Sequence, residues 1–310
     1  MRSQVGTVPV PAPSADGPDA LLITASELLA WRRRLLVLGG DAAALDWLLD
    51  LGAGLRWSQL QALWCHPEAE VRLQGSLEAL DALWRRHIRT HEPLQYLVGC
   101  CPWRDLELPV APGVLIPRQE TELLVDLALS LWPAERPEGR WADLGTGSGC
   151  LAIALARSRP ASSGFAVEAS PEALIQADAN LARWDLQGRV RLLAGDWWQP
   201  LAPWWGALDL VVSNPPYIPS ATVSALEPVV RDHEPRLALD GGPDGLAALR
   251  SIVAGSSRGL APGGLLLLEH HHDQSEEVAA LLRAAGLERL AVHADLEGRA
   301  RFASGWRPGG

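Results

Sequence analysis

Trp141-Ala142-Asp143-Leu144-Gly145-Thr146-Gly147-Ser148-Gly149 is the stretch whose reading decides the fold. An apolar strand runs into a loop with Gly at every second position, and a helix follows. Glycine lets the chain turn sharply and lets a ligand approach without a Cβ clash. The helix N-terminus offers unpaired N–H groups and the positive end of a dipole. Dinucleotide binders space their glycines G-x-G-x-x-G. Here the pattern is G-x-G-x-G, begun by Asp143. Taken alone, these residues also fit a purely structural Gly-rich turn.

Working outward, strands and helices alternate. Strand candidates lie at 140–144, 164–168, 189–193, 208–213 and 264–269, and helix candidates at 149–158, 171–184, 244–258 and 273–285. Such alternation predicts an α/β fold, a mostly parallel sheet with helices on both faces. Two further strands, 288–294 and 299–306, are joined by a short turn at Asp295–Gly298 and predict an antiparallel C-terminal edge. Upstream of a Pro- and Glu-rich break at 133–138, an apolar helix is expected over about 121–132.

The N-terminal region reads differently. Trp31, Leu35, Leu38 and Leu45, Leu48, Leu49 recur at helical spacing, and Thr24-Ala25-Ser26-Glu27 supplies capping residues before an apolar run. A second helix is expected from Leu73 to Ile88, with Leu77, Leu80, Leu83 and Trp84 on one face. Residues 21–90 are therefore a small helical bundle domain, and residues 1–20, rich in Pro and Ala, a disordered leader. The segment 91–118 reads as strand-like, a hairpin or linker around Leu106-Glu107-Leu108, and 119–310 as the α/β domain.

Composition narrows the function classes. Hydrophobic residues make up 48% and charged residues 21% of the 310, as in ordinary globular proteins. No apolar run approaches the ~18 residues that span a bilayer. The formal net charge of −10 does not suit a protein whose main task is gripping a phosphate backbone. Cys65, Cys100, Cys101 and Cys150 form no C-x-x-C pair, so reduced thiols in a cytoplasm are the simplest reading.

The G-x-G-x-G loop resembles the first motif of the class I methyltransferases, which cradle the methionine part of S-adenosylmethionine. Glu168 ends the next strand, where a carboxylate can accept hydrogen bonds from both hydroxyls of a ribose; the alternative is a surface acid at a strand end. Asp196 and Trp197 follow the third strand, an acceptor for an adenine amine beside an aromatic for its face. Trp197 and Trp198 equally fit as core residues in a chain with 14 Trp.

The sharpest signal is Val212-Ser213-Asn214-Pro215-Pro216-Tyr217-Ile218, where Asn214 stands 65 residues beyond Gly149. Two prolines lack the N–H that a parallel ladder needs, so they fix a rigid loop at the carboxyl edge of the sheet, where open α/β sheets bind ligands. An amide or exocyclic amine nitrogen is a poor nucleophile because its lone pair is delocalised. The Asn214 side-chain oxygen and the Pro215 carbonyl can hold its two N–H groups and aim it at a methyl group. Those bonds strengthen as the nitrogen becomes positive, and the Tyr217 ring can stack on the planar group.

Accompanying segments specify which nitrogen. Arg89-x-His91-Glu92-Pro93-Leu94-Gln95-Tyr96-Leu97-x-Gly99, Val114-Leu115-Ile116-Pro117-Arg118-Gln119-Glu120-Thr121-Glu122 and Glu234-Pro235-Arg236-Leu237-Ala238-Leu239-Asp240-Gly241-Gly242 surround the two motifs. In this order, over about residues 85–305, the chain resembles the release factor glutamine methyltransferases, the HemK or PrmC family. The resemblance implies a helical N-terminal domain that holds a peptide-chain release factor and a catalytic domain that methylates the glutamine of its Gly-Gly-Gln loop. It implies S-adenosylmethionine contacts from Asp143, Gly145, Thr146, Gly147, Ser148, Gly149, Glu168, Asp196, Trp197 and Asn214. Asn214, Pro215, Pro216 and Tyr217 would hold the glutamine amide, and Arg118, Glu120 and Thr121 would line the substrate entrance.

The chain departs from the family at Glu168, usually Asp, at Gln119, usually Pro, and at Glu269-His270-His271-His272-Asp273-Gln274. Successive strand residues point to opposite faces, so three consecutive histidines do not converge on one metal ion. Two rivals remain: an amino-methyltransferase acting on a nucleic-acid base, which shares N-P-P-Y, and an inactive S-adenosylmethionine-binding subunit. The first predicts a basic groove, and the second a damaged motif.

Overall fold

The computed structural model describes residues 20–133 and 137–309, so the leader expected at 1–20 lies almost wholly outside the described residues. The chain divides into two compact units. One holds the chain up to Cys101 together with Pro228–His233, and the other holds Pro102–Glu227 and Glu234–Gly310.

Helices dominate the first unit, as the Leu spacing predicts. Thr24 caps the helix Ala25–Leu36 in a capping box with Glu27: Glu27 N–H donates to Thr24 Oγ1 at 3.3 Å, and Thr24 N–H donates to Glu27 Oε2 at 2.8 Å. Helices Ala42–Ala53, Trp57–Leu63 and Leu77–Thr90 bury Leu45, Leu48, Leu49, Leu60, Leu80 and Trp84 against it.

Two expectations fail here. Strands β1 (Ala20–Thr24) and β2 (Glu70–Gln74) pair antiparallel, and the helix expected from Leu73 begins at Leu77. Leu73 lies four residues before Leu77 and so mimics helical spacing, but with Val71 it belongs to an alternating strand. Ser76 sets the true helix start by accepting from Ala79 N–H at 3.2 Å. The second failure is Leu94–Val98, read as strand-like and in fact a short helix between Pro93 and the left-handed Gly99. Its buried Leu94 and Tyr96 alternate, which imitates a strand.

Strands β3 (Cys100–Trp103) and β4 (Leu106–Pro109) pair as a two-stranded sheet, and the second unit begins within β3, at Pro102. The main sheet contains β5 (Arg140–Leu144), β6 (Ser163–Glu168), β7 (Val190–Ala194), β8 (Leu208–Ser213), β9 (Leu260–Glu269), β10 (Glu288–Ala294) and β11 (Ala300–Trp306). Their order is β10-β11-β9-β8-β5-β6-β7. Strands β5 to β9 run parallel; β11 is antiparallel to β9 and to β10, the edge that the sequence predicts. Strand β9 starts at Leu260, earlier than expected, and an irregularity in its pairing with β8 accommodates Pro262, which has no N–H to give the ladder.

Strand residues alternate between two cores. Trp141, Leu210, Val212, Leu265 and Leu267 meet the helices Glu122–Leu131 and Cys150–Ser158. Ala142, Leu144, Val211, Leu266 and Leu268 meet Ala247–Gly259 and Ser275–Ala284. Burial on both faces is why these strands read as continuous apolar runs.

From β5 the chain builds β6 and β7 on one side, then crosses to β8 and β9 on the other. The carboxyl ends of β5 and β8 therefore flank the point where strand order reverses, which in open α/β sheets is the ligand crevice. Ser213 Oγ donates to Leu144 O at 2.6 Å and locks these two ends together. Among the described residues, no helix is long and apolar enough to cross a membrane.

Candidate active site

A cavity of about 330 Å³ opens at this reversal point, within the usual range for small-molecule sites. Gly145, Gly147, Glu168, Asp196, Trp197, Asn214 and Pro216 all line it, so these residues, far apart in sequence, converge. Val114, Leu115, Leu237 and Ala238 add apolar walls.

The glycine loop is shaped by its neighbours. Gly145 has φ 74°, and a Cβ there would lie 3.2 Å from Cζ3 of the Trp197 indole. Trp197 thus roofs the turn and faces the cavity, whereas Trp198 belongs to the core, with its Nε1 donating to Ile252 O at 2.8 Å. Behind the loop, Asn180 is completely buried and donates from Nδ2 to Ser148 O at 2.8 Å and to Pro109 O at 3.1 Å. Sequence reading overlooks Asn180, yet its signal is legible: a polar residue on the apolar face formed by Ala173, Ala177 and Leu181.

Glu168 does more than end a strand. Its Oε2 accepts from Gly147 N–H at 2.8 Å, and its Oε1 accepts from Ala169 and Ser170 N–H at 2.9 Å each. Each carboxylate oxygen has two lone pairs, so Oε2 keeps one for a ligand, while both of those on Oε1 are taken by backbone N–H groups. Asp143 is fully buried beneath the loop. Thr146 Oγ1 donates to its Oδ2 at 2.6 Å, and Oδ1 finds no hydrogen-bond partner among the described residues. Burial pushes Asp143 up to about 7; the Thr146 bond opposes the rise and the Glu168 charge adds to it. Asp143, Thr146, Ser148 and Gly149 therefore stand behind the cavity wall rather than on it.

At the end of β8, Pro216 lines the cavity while Pro215 is buried and Tyr217 half-buried. Asn214 Nδ2 donates to Thr121 Oγ1 at 2.9 Å, and Thr121 Oγ1 donates to Glu269 Oε2 at 2.7 Å. Tyr217 Oη donates to the other oxygen, Glu269 Oε1, at 3.3 Å. Glu269 is 1% exposed; burial pushes it up to about 7, against the bond from Thr121, the charge of Arg301 and the bond from Tyr217. Burial, followed by the Glu269 charge, raises Tyr217 above its ordinary value.

The segment read as a substrate entrance is pinned from outside. Glu234 Oε1 accepts from Arg118 at 2.6 Å, Glu234 Oε2 accepts from Ile116 N–H at 3.2 Å, and Trp103 Nε1 donates to Arg118 O at 2.7 Å. Thr121 is buried and tied to Asn214, while Glu120 is exposed. The His triplet lies just past β9: His270 is buried, and His271 pairs with Asp273 at 2.6 Å. Among the described residues, no group of three or more His, Cys, Asp or Glu is arranged to hold a metal ion.

Over 286 residues, the chain is 51% identical to the release factor glutamine methyltransferase of Prochlorococcus marinus, covering 92% of this chain and 98% of that protein. The chain belongs to the release factor glutamine methyltransferase family. The enzymes of that name from Gloeobacter violaceus, 45% identical over 81% of this chain and 90% of that protein, and from Caulobacter vibrioides, 41% identical over 91% and 97%, are further relatives. Residues 120–243 match the methyltransferase small domain. The hMettl16 catalytic domain in complex with MAT2A 3'UTR hairpin 1 shares the fold, with a TM-score of 0.52 at 13% identity, covering 88% of this chain and 90% of that one. Family membership makes the chain an S-adenosylmethionine-dependent methyltransferase. Both motifs of the family, the glycine loop and Asn214–Tyr217, are intact on either side of one cavity.

Proposed function

We propose that this chain transfers a methyl group from S-adenosylmethionine to the side-chain amide nitrogen of the glutamine in the Gly-Gly-Gln loop of a peptide-chain release factor. The observation that carries the reading is the state of Asn214 at the cavity edge. Its Nδ2 is taken up by Thr121, which leaves Oδ1 as an acceptor for an incoming N–H.

The lining set suits the cofactor. S-adenosylmethionine bears a ribose diol, an adenine amine, an ammonium and a sulfonium, and so asks for acceptors and negative charge. Glu168 Oε2 supplies an acceptor for the diol, Asp196 one for the adenine amine, and Trp197 an aromatic face. Gly147 lets the backbone approach closely, since a Cβ there would meet nothing within 4 Å and the space belongs to the cavity. When bound, the cofactor supplies an electrophilic methyl group on its sulfonium.

The protein's own contribution is positioning and charge stabilisation. Asn214 Oδ1 and the Pro215 carbonyl accept the two N–H bonds of the substrate amide and aim its nitrogen. As the new N–C bond forms, positive charge grows on that nitrogen, and both hydrogen bonds strengthen. The Tyr217 ring covers the planar amide and keeps water away. The proton leaves after transfer, so no general base is needed beforehand. Arg118 and Glu120 stand at the entrance for the glutamine, whereas Thr121, read with them from the sequence, is buried and reaches the substrate only through Asn214. The N-terminal unit, with Trp57 63% and Trp64 48% exposed, supplies the surface that grips the release factor.

Labelled methyl groups on S-adenosylmethionine test the reading. The label should move to a release factor and not to duplex DNA offered at the same concentration. Transfer to DNA alone would support the nucleic-acid reading instead.

A further inference from the structure

Asn214 can act as an acceptor only if its carboxamide faces the right way. The two ends of a carboxamide are nearly identical in shape and opposite in hydrogen-bonding sense. With Oδ1 toward the substrate, it accepts an N–H. Rotated by half a turn, it presents an NH₂ to another N–H, and one of the two bonds that hold the glutamine is lost.

We propose that Thr121 and Glu269 are positioning residues that set this orientation, a proposal resting on the transfer reading above. Glu269, which closes β9, is almost fully buried, and in its ionised form, which prevails above about pH 7, its carboxylate can only accept. The single proton of the Thr121 hydroxyl is given to Glu269 Oε2 at 2.7 Å. Only lone pairs of Thr121 Oγ1 then face Asn214, and only the NH₂ end of the carboxamide can meet them, at 2.9 Å. The negative charge on Glu269 thus fixes a hydroxyl, and the hydroxyl fixes an amide. Glu269 Oε1 receives the Tyr217 hydroxyl at 3.3 Å, so one buried carboxylate aligns both polar side chains that would contact the glutamine.

The chain is built from three separate elements. Thr121 precedes the helix Glu122–Leu131, Asn214 follows β8, and Glu269 ends β9. Thr121 is only 3% exposed, so bulk water does not offer it a competing partner. The other charges acting on Glu269 are Arg301, which favours its ionised form, and Glu120, which opposes it.

The test uses the full-length protein with a release factor and S-adenosylmethionine, comparing wild type with Thr121→Val, Thr121→Ser, Glu269→Gln and the double variant Thr121→Val/Glu269→Gln. Val keeps the shape of Thr and removes the hydroxyl. Gln keeps the shape of Glu and turns one of its two acceptor ends into a donor. Thr121→Val and Glu269→Gln should each lower kcat on the order of tenfold to a hundredfold, as for a misaligned reacting group, with cofactor affinity nearly unchanged and only a modest fall in melting temperature from the lost buried hydrogen bonds. Thr121→Ser should recover most of the turnover lost in Thr121→Val. The double variant should be no slower than the slower single variant, because both break one relay. Single variants with wild-type kcat would overturn the proposal. So would losses that multiply in the double variant while the melting temperature falls in step, the mark of a merely structural role. An inactive wild type would instead overturn the underlying transfer reading, and the relay with it.

Discussion

The backbone N–H of Gly147 donates to Glu168 Oε2 at 2.8 Å, so the end of β6 holds the glycine loop that follows β5. One carboxylate therefore shapes the loop and stands in the cavity. Glu168→Ala removes both roles. Hydrogen bonds to a charged group contribute about 1.5–3 kcal/mol, so cofactor affinity should fall on the order of tenfold or more. Calorimetric titration with S-adenosylmethionine checks this, and wild-type affinity would remove Glu168 from the site.

Gly145→Ala challenges the same loop through the backbone. The residue sits at φ 74°, and its Cβ would press on the Trp197 ring from 3.2 Å. The left-handed conformation alone costs roughly 1–2 kcal/mol for a residue with a Cβ. Thermal melts should show a lower transition temperature, and titration a weaker cofactor. Adding Trp197→Ala relieves the ring contact but leaves the backbone cost, so stability should recover only in part.

Asn214→Ala leaves the glycine loop and Glu168 in place and deletes one acceptor for the substrate amide. Turnover should fall on the order of a hundredfold or more, the scale for losing one transition-state hydrogen bond, while cofactor binding is partly retained. Steady-state kinetics with saturating cofactor reads this directly; unchanged turnover would take Asn214 out of the mechanism.

Asp143 gives the protein a pH signature. Its ordinary value of 3.8 rises to about 7 in the folded chain, so between those values the folded state binds more protons than the unfolded state. The stability it contributes is present in full below 3.8 and is lost as pH rises through about 7. Glu269, raised from 4.5 to about 7, acts with the same sign. Asp143→Asn should therefore flatten the decline in melting temperature across this window. In the wild type, a cationic cofactor favours ionised Asp143, so its affinity should rise as pH passes 7. An affinity independent of pH would show that the cofactor does not sense Asp143.

Much of this site was legible because its residues sit at strand ends, where local pattern and position in the sheet coincide. Asp143, Glu168 and Asn214 each close or follow a readable apolar strand, and all three come to the reversal point. Glu269 was harder to assign although it also ends such a strand, because its role depends on Thr121, which is 148 residues away and contacts it only in the folded chain. Asn180 shows in the sequence as a polar residue on an apolar helix face, but its partners are backbone carbonyls that no sequence pattern displays. In the N-terminal unit, β2 is masked because Leu73 satisfies strand and helix periodicities at once, and only Gly75, at φ 73°, and the cap Ser76 mark the break. The short helix Leu94–Val98 was misread because two buried residues in one turn are too few to define a period.

The most direct test of the central claim is peptide mapping by mass spectrometry of a release factor incubated with this protein and S-adenosylmethionine, beside a release factor whose Gly-Gly-Gln glutamine is replaced by alanine. A gain of one methyl group is expected on the peptide carrying that glutamine, with fragment ions placing it on the side chain, and no gain on the alanine variant. An unmodified glutamine, or a methyl group that appears equally on both proteins, would contradict it.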